Sequence, residues 1–176
     1  MILTEEQTKH IMGETPVYSC ELVKKRFSYY LFRDKISPFG NIIAFEYPTK
    51  IGALDFGNSL VLAIEIPNSN IYGGVCFQRL YAAQLGSLFA QTFEVECYVD
   101  GNNIIVQGDT QANISILNRV KDSMLMHFIF SLDGDNEGFY KLSFNQEKMD
   151  SFKQKAVECF TFLAHSIFVE TQHDNF

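Results

Sequence analysis

From Phe93 to Asp133 the chain reads FEVECYVDGNNIIVQGDTQANISILNRVKDSMLMHFIFSLD, a series of short β-rich runs broken by turn residues. Asp100-Gly101 is a hairpin signal between two such runs, because glycine supplies the backbone freedom that a tight reversal needs. Gly108-Asp109 makes a second break and introduces a third run. The pattern commits this part of the chain to a meander of short antiparallel strands. A sheet of that kind must be covered on at least one face by other elements.

The rest of the chain supplies them. Thr4 followed by Gln7 is a capping-box signature and Gly13 a stop, which predicts a short helix over about residues 5–12. The stretch CELVKKRFSYYLFR is ambiguous between helix and strand, and Ser37-Pro38-Phe39-Gly40 is a turn. GNIIAFEY and SLVLAIEI are apolar, β-branched runs that read as central strands. Pro67-Asn68-Ser69-Asn70 offers caps for a helix to about Gln91, with apolar residues on more than one face. Met149, Phe152, Ala156, Cys159, Phe160, Leu163 and Ile167 form a stripe at helical spacing, with Lys148, Lys153, Lys155 and Glu158 largely on the other side. The tail TQHDNF is polar. The expected architecture is α+β: GNIIAFEY, SLVLAIEI and the 93–131 meander in one mainly antiparallel or mixed sheet, with helices near 70–91 and 146–168 packed on it.

At 176 residues, with nothing resembling a linker, the chain is expected to form one domain over 1–176, its core at about 40–168. An apolar fraction of 47% with 17 Phe, 8 Tyr and no Trp makes aromatic packing the main filler of that core. The net charge of −7, with no basic run beyond Lys24-Lys25-Arg26, excludes a surface built to neutralise nucleic-acid phosphates. No apolar stretch has the length of a bilayer span, and no signal pattern opens the chain, so a cytoplasmic location and no membrane partner are expected. Cys20, Cys76, Cys97 and Cys159 lack metal or redox spacing and read as reduced, mostly buried thiols. The histidines and carboxylates show no metal-ligand spacing, and nothing identifies a cofactor.

The meander, together with Leu54-Asp55-Phe56-Gly57-Asn58 leading into Ser59–Ile64, resembles the catalytic domain of lipoate–protein ligases, octanoyltransferases and biotin ligases, a class II synthetase-like fold. The likeness runs from about Gly40 to Phe168. It is similar also to an uncharacterised prokaryotic branch in which a helix with Gln-Arg-Leu precedes the meander, here Gln78-Arg79-Leu80. The resemblance implies a lysine followed by a histidine or its equivalent; the matching positions hold Gln111 and His127. It implies two arginines where Ala44 and Phe45 stand, and a glycine-rich stretch where Pro48-Thr49-Lys50 stands. The acyl-carrying cysteine of the octanoyltransferases has no counterpart in GFYKLSF. Arginine forks and close-approaching glycines serve an acyl-adenylate phosphate, so the implied adenylation site is degenerate.

Several residues stay as candidates beside plainer readings. His127, amid MLMHFIFSL, reads as a core or edge histidine bonded to a backbone carbonyl, with catalysis as the alternative. Gln111, Asn113 and Ser115 alternate on one strand face, lining a polar pocket or facing water. Arg79, within an apolar helix, calls for a partner such as Asp55 or Glu65, or forms an anion site. Gly73-Gly74 could expose amides to an anion or serve close packing. Cys76, near the helix start, is a nucleophile candidate or a buried small hydrophobe. Asp133-Gly134-Asp135-Asn136-Glu137 has the composition of a calcium loop and the better reading of a solvated turn. Three functions follow. The first is a small-molecule or acyl-binding or protein-interaction module with a degenerate adenylate site, its ligand residues Lys50, Asp55, Asn58, Arg79 and Asn113. The second is an acyltransferase or ligase with a rearranged site using Lys50, Asp55, Gln111 and His127. The third is an α+β interaction domain that pairs as a homodimer. A pocket enclosed by Lys50, Asp55, Asn58 and Gln111 would favour the first two, and a filled core at that place the third.

Overall fold

The computed structural model describes residues 1–13, 39–120, 122–133, 138–142 and 145–173, of which 168–173 by backbone alone. CELVKKRFSYYLFR, Ser37-Pro38, residues 134–137 of the acidic loop and the end of the polar tail lie outside the described residues.

Helix α1 (Glu5–Met12) starts as its sequence dictates: the Thr4 hydroxyl accepts from Gln7 N, and Gln7 Oε1 accepts from Thr4 N. The capping box satisfies two end donors at once, and Gly13 closes the helix at φ 80°. Strands β1 (Asn41–Ile51) and β2 (Leu54–Pro67) form a long antiparallel hairpin. Helix α2 (Ile71–Phe93) is capped by the Asn70 side chain, which accepts from Gly73 N at 2.9 Å. Strands β3 (Cys97–Asp100), β4 (Asn103–Val106), β5 (Thr110–Gln111), β6 (Ile114–Val120) and β7 (Ser123–Ser131) follow, then helix α3 (Gln146–His173).

The strands divide between two sheets, correcting the expectation of one. The larger has the order β1-β2-β7-β6, all antiparallel, and the smaller has β3-β4-β5. The division falls at Ala112-Asn113. Asn113 is fully buried, accepts from Ile104 N through Oδ1 at 2.7 Å and donates through Nδ2 to Asn102 O at 3.3 Å. A side chain thus takes over the ladder on β4, ending its pairing with β5, and residues from 114 onward pair with β7 instead. Gln111, Asn113 and Ser115 therefore do not share a strand.

Both faces of the larger sheet are buried, which explains why β7 is apolar between its end serines except at His127, with all nine of its residues buried. One face packs Ala44, Leu60, Leu62, Met126, Phe128 and Phe130 against α2 and α3. Phe152 and Phe160, from the helical stripe, seat among Phe77, Tyr81, Phe89 and Phe130 at ring distances of 5.3–5.9 Å. The other face buries Ile43, Phe45, Tyr47, Val61, Ala63, Leu125 and Ile129 with Leu3 and Met12. Gly86 lets α2 approach β3: a Cβ there would lie 2.4 Å from Val99 Cγ2. One member of the helical pattern is corrected. Lys153, expected on the outer side, is 9% exposed, because it falls four residues after Met149 and three before Ala156 on the packed stripe.

Candidate functional site

A cleft of about 810 Å³ opens where the ends of several elements meet. Residues 3–13 and α1 form one wall through Thr4, Thr8 and Gly13; Glu46, Tyr47 and Pro48 of β1 form another; Leu132, Asp133 and the first turns of α3 close it. Local chemistry fixes each wall. The Tyr47 hydroxyl donates to Gly13 O at 3.0 Å, tying the end of α1 to β1. Asp133 clamps the start of β2, accepting from Asn58 N at 2.6 Å and from Asn58 Nδ2 at 2.9 Å. Asn145 caps α3 by accepting from Lys148 N at 3.2 Å.

Lys153 is the buried charge of the cleft, its ammonium 2.5 Å from Glu46 Oε1 and 2.9 Å from Asp150 Oδ1. Burial by itself would lower its pKa, but hydrogen bonds and charge from Glu46 and Asp150 outweigh that and hold it above the ordinary lysine value. The hydrogen bond from Lys153 likewise lowers the Asp150 carboxyl, against a smaller effect of burial. Lys153 is therefore a permanent cation locked between carboxylates, not a nucleophile. A smaller cavity of about 230 Å³, lined by Phe93, Tyr140, Lys141, Leu142, Asn145 and Lys148, adjoins the cleft and shares Leu142 and Asn145 with it.

Of the residues singled out from the sequence, the cleft takes in Pro48, Asn58 and Asp133; it does not take in Lys50, Asp55 or Gln111, so the pocket expected around those three and Asn58 is not the one formed. Lys50 and Asp55 form an ion pair of 2.6 Å near the tip of the β1–β2 hairpin, both substantially exposed. Asp55 is held below the usual carboxylate range by the Lys50 hydrogen bond and then by Gly57 N. Gln111 lies on the smaller sheet and donates from Nε2 to Asn113 O at 2.8 Å. Asn113 makes the inter-sheet joint described above. Arg79 and Cys76 are exposed on α2, correcting the expectation of burial for both. The apolar residues of α2 cover more than one face, and these two occupy the part turned to solvent. Their neighbour Gln78 points inward, donating to Ser115 Oγ at 2.6 Å. Gly74 meets Met124: a Cβ there would lie only 2.9 Å from Met124 Cγ, so the role of this glycine is close packing.

His127 is 3% exposed on β7, and burial drives its pKa down to about 4, which keeps the ring neutral. The expected bond from this ring to a backbone carbonyl is not made among the described residues. Sequence reading passed over Glu46, placed Lys153 on the outer face of its helix and took Asp133 as part of a solvated turn. The signal for Lys153 was its place within the apolar stripe; Glu46 and Asp133 join the site only through tertiary pairing.

The fold is that of the lipoate–protein ligase and biotin protein ligase catalytic domains. A Pyrococcus horikoshi protein of unknown function superposes with a TM-score of 0.67 at 14% identity, over 82% of this chain and 86% of that one. P. falciparum LipL1 in complex with lipoate superposes with 0.53 at 13% identity, over 83% and 60%. Biotin protein ligase from Aquifex aeolicus gives 0.52 at 6% identity, over 70% and 60%. The chain thus spans about 60% of the length of these two ligases. No family model and no curated protein matches the sequence.

Proposed function

We propose that the protein is a cytoplasmic, single-domain binding module that holds a small acyl molecule and forms no acyl-adenylate. The observation that carries this reading is the disposition of charge. Ala44 and Phe45, at the positions where the resemblance calls for arginines, are 0% and 1% exposed and packed in the two cores. Gln111, at the lysine position, is turned onto its own chain. Lys153, the buried cation of the cleft, is already matched by Glu46 and Asp150. Phosphoryl chemistry depends on preorganised positive charge, and loss of a single such donor costs about 10²–10³ in rate. The same geometry suits binding. A cleft within the usual size range of small-molecule sites stands beside a cavity in which Phe93, Tyr140 and Leu142 offer apolar surface to an aliphatic tail, Lys141, Asn145 and Lys148 making up the rest of its wall.

Pyrophosphate release with ATP, magnesium and lipoate, octanoate or biotin tests the absence of adenylation. Wild type and Gln111→Lys are expected to release none above the protein-free rate. Release by wild type that disappears in His127→Ala would replace this reading with that of an enzyme using a rearranged site.

A further inference from the structure

Lys153 and Glu46 stand side by side on the wall of the 810 Å³ cleft, the ammonium 2.5 Å from Glu46 Oε1. Asp150, which does not line the cleft, holds the same ammonium from one turn earlier on α3 at 2.9 Å. Two ion pairs fix a side chain that is only 9% exposed, so the charge keeps its place and a ligand must come to it. Met149 lies four residues before Lys153, at the spacing that puts two side chains on one helix face, and lines the cleft with it. An aliphatic chain laid over Met149 thus carries its head group to the Lys153–Glu46 pair.

The charge of the wall decides which head group fits there. Glu5, Glu46 and Asp133 stand against Lys9 and Lys153, and both ammonium groups are matched, Lys9 by Glu5 at 2.6 Å and Lys153 by two carboxylates. A free carboxylate would add a negative charge beside Glu46 and has acceptors alone to offer. An ammonium head has the opposite fault, a positive charge and donors alone against Lys153. The pair itself presents a donor beside an acceptor. An ammonium has three hydrogens, of which Glu46 and Asp150 take two among the described residues, and a carboxylate has about four lone-pair sites, of which Lys153 occupies one.

A primary carboxamide is neutral and offers the converse, a carbonyl that accepts and, pointing the same way, an N–H that donates. In a trans secondary amide the two point in opposite directions, so it cannot meet both groups of the pair at once. We infer that the cleft takes its acyl ligand as a primary carboxamide, the carbonyl accepting from Lys153 and the N–H donating to Glu46. The free acid enters as a weaker ligand. This inference rests on the acyl-binding reading above and adds to it the class of head group.

Calorimetric titration at pH 7.5 with octanamide, N-methyloctanamide, octanoate and octylamine, one tail with four heads, tests it. Octanamide is expected to bind at least about tenfold more tightly than each of the others. Glu46→Gln, which removes the negative charge facing the head group, is expected to cut the preference for octanamide over octanoate to about threefold or less. A merely structural role for Glu46 would weaken both ligands alike and leave that ratio in place. Should the variant fail to fold, the ranking of the four ligands by wild type decides alone. Octanoate, octylamine or N-methyloctanamide binding as tightly as octanamide, or a ratio unmoved in the folded variant, overturns the inference and leaves the acyl-binding reading standing. Binding of none of the four overturns both.

Discussion

His127 should make the fold acid-sensitive by an amount that can be worked from its surroundings. The ring lies between Ala63 and Ile116 in the larger sheet, 3% exposed, and burial alone sets its folded pKa at about 4 against an ordinary 6.5. Between those values the unfolded chain binds a proton that the native ring refuses. The stability that the neutral ring permits is therefore fully present above pH 6.5 and is lost as pH falls towards 4. A pKa difference of one corresponds to about 1.4 kcal/mol, so the full loss is about 3 kcal/mol, of which about 2 kcal/mol is already gone at pH 5. His127→Leu removes the titration and places an apolar side chain in an apolar row. Urea unfolding of both proteins at pH 7.5, 6, 5 and 4.5 isolates this contribution, since carboxylate titrations common to the two cancel in the difference. The variant should equal or exceed wild type at pH 7.5 and gain a further ~2 kcal/mol relative to it at pH 5. A difference that stays constant across this range would refute the desolvated neutral ring. A loss above ~2 kcal/mol at pH 7.5 would show that the ring makes a hydrogen bond worth keeping.

Other substitutions probe the packing. Phe160, 2% exposed and edge-on to Phe77 and Tyr81, should cost about 3–5 kcal/mol when replaced by alanine, and a loss below ~1 kcal/mol in denaturant melts would place α3 at the periphery. Gly86→Ala should cost about 1–3 kcal/mol by driving a methyl into Val99, and Val99→Ala in the same chain should recover part of it; thermal unfolding of the single and double variants reads the coupling. Asn113→Ala should cost about 1–3 kcal/mol by leaving Ile104 N buried without its acceptor, and amide exchange at Ile104 should quicken.

Elements with a local chemical signature were legible in the sequence. Thr4 and Gln7 announced α1, Asn70 announced α2, and the stripe from Met149 announced α3, because caps and periodicity act over a few residues. The resemblance to the ligase fold was legible as well, in the layout of the meander and the hairpin before it. The two-sheet division was hidden, since alternation continues from Gln111 to Ser115 while the pairing partner changes from β4 to β7, and alternation does not name a partner. The orientation of α2 was hidden for a related reason. Its apolar residues occupy several faces, so nothing marked Cys76 and Arg79 as outward. The polar groups of interest lay further out of reach: Glu46 meets Lys153, Asn58 meets Asp133, and Glu65 meets Ser123 only after distant strands and helices have docked.

The central claim, a ligase fold that binds an acyl ligand without activating it, is tested most directly by native mass spectrometry of the protein mixed with octanoate or lipoate in the presence of ATP and magnesium. The account predicts a complex heavier than the protein by the mass of the free acid, unchanged by ATP. A complex carrying the mass of the acyl-adenylate, or no acid retained at all, would contradict it.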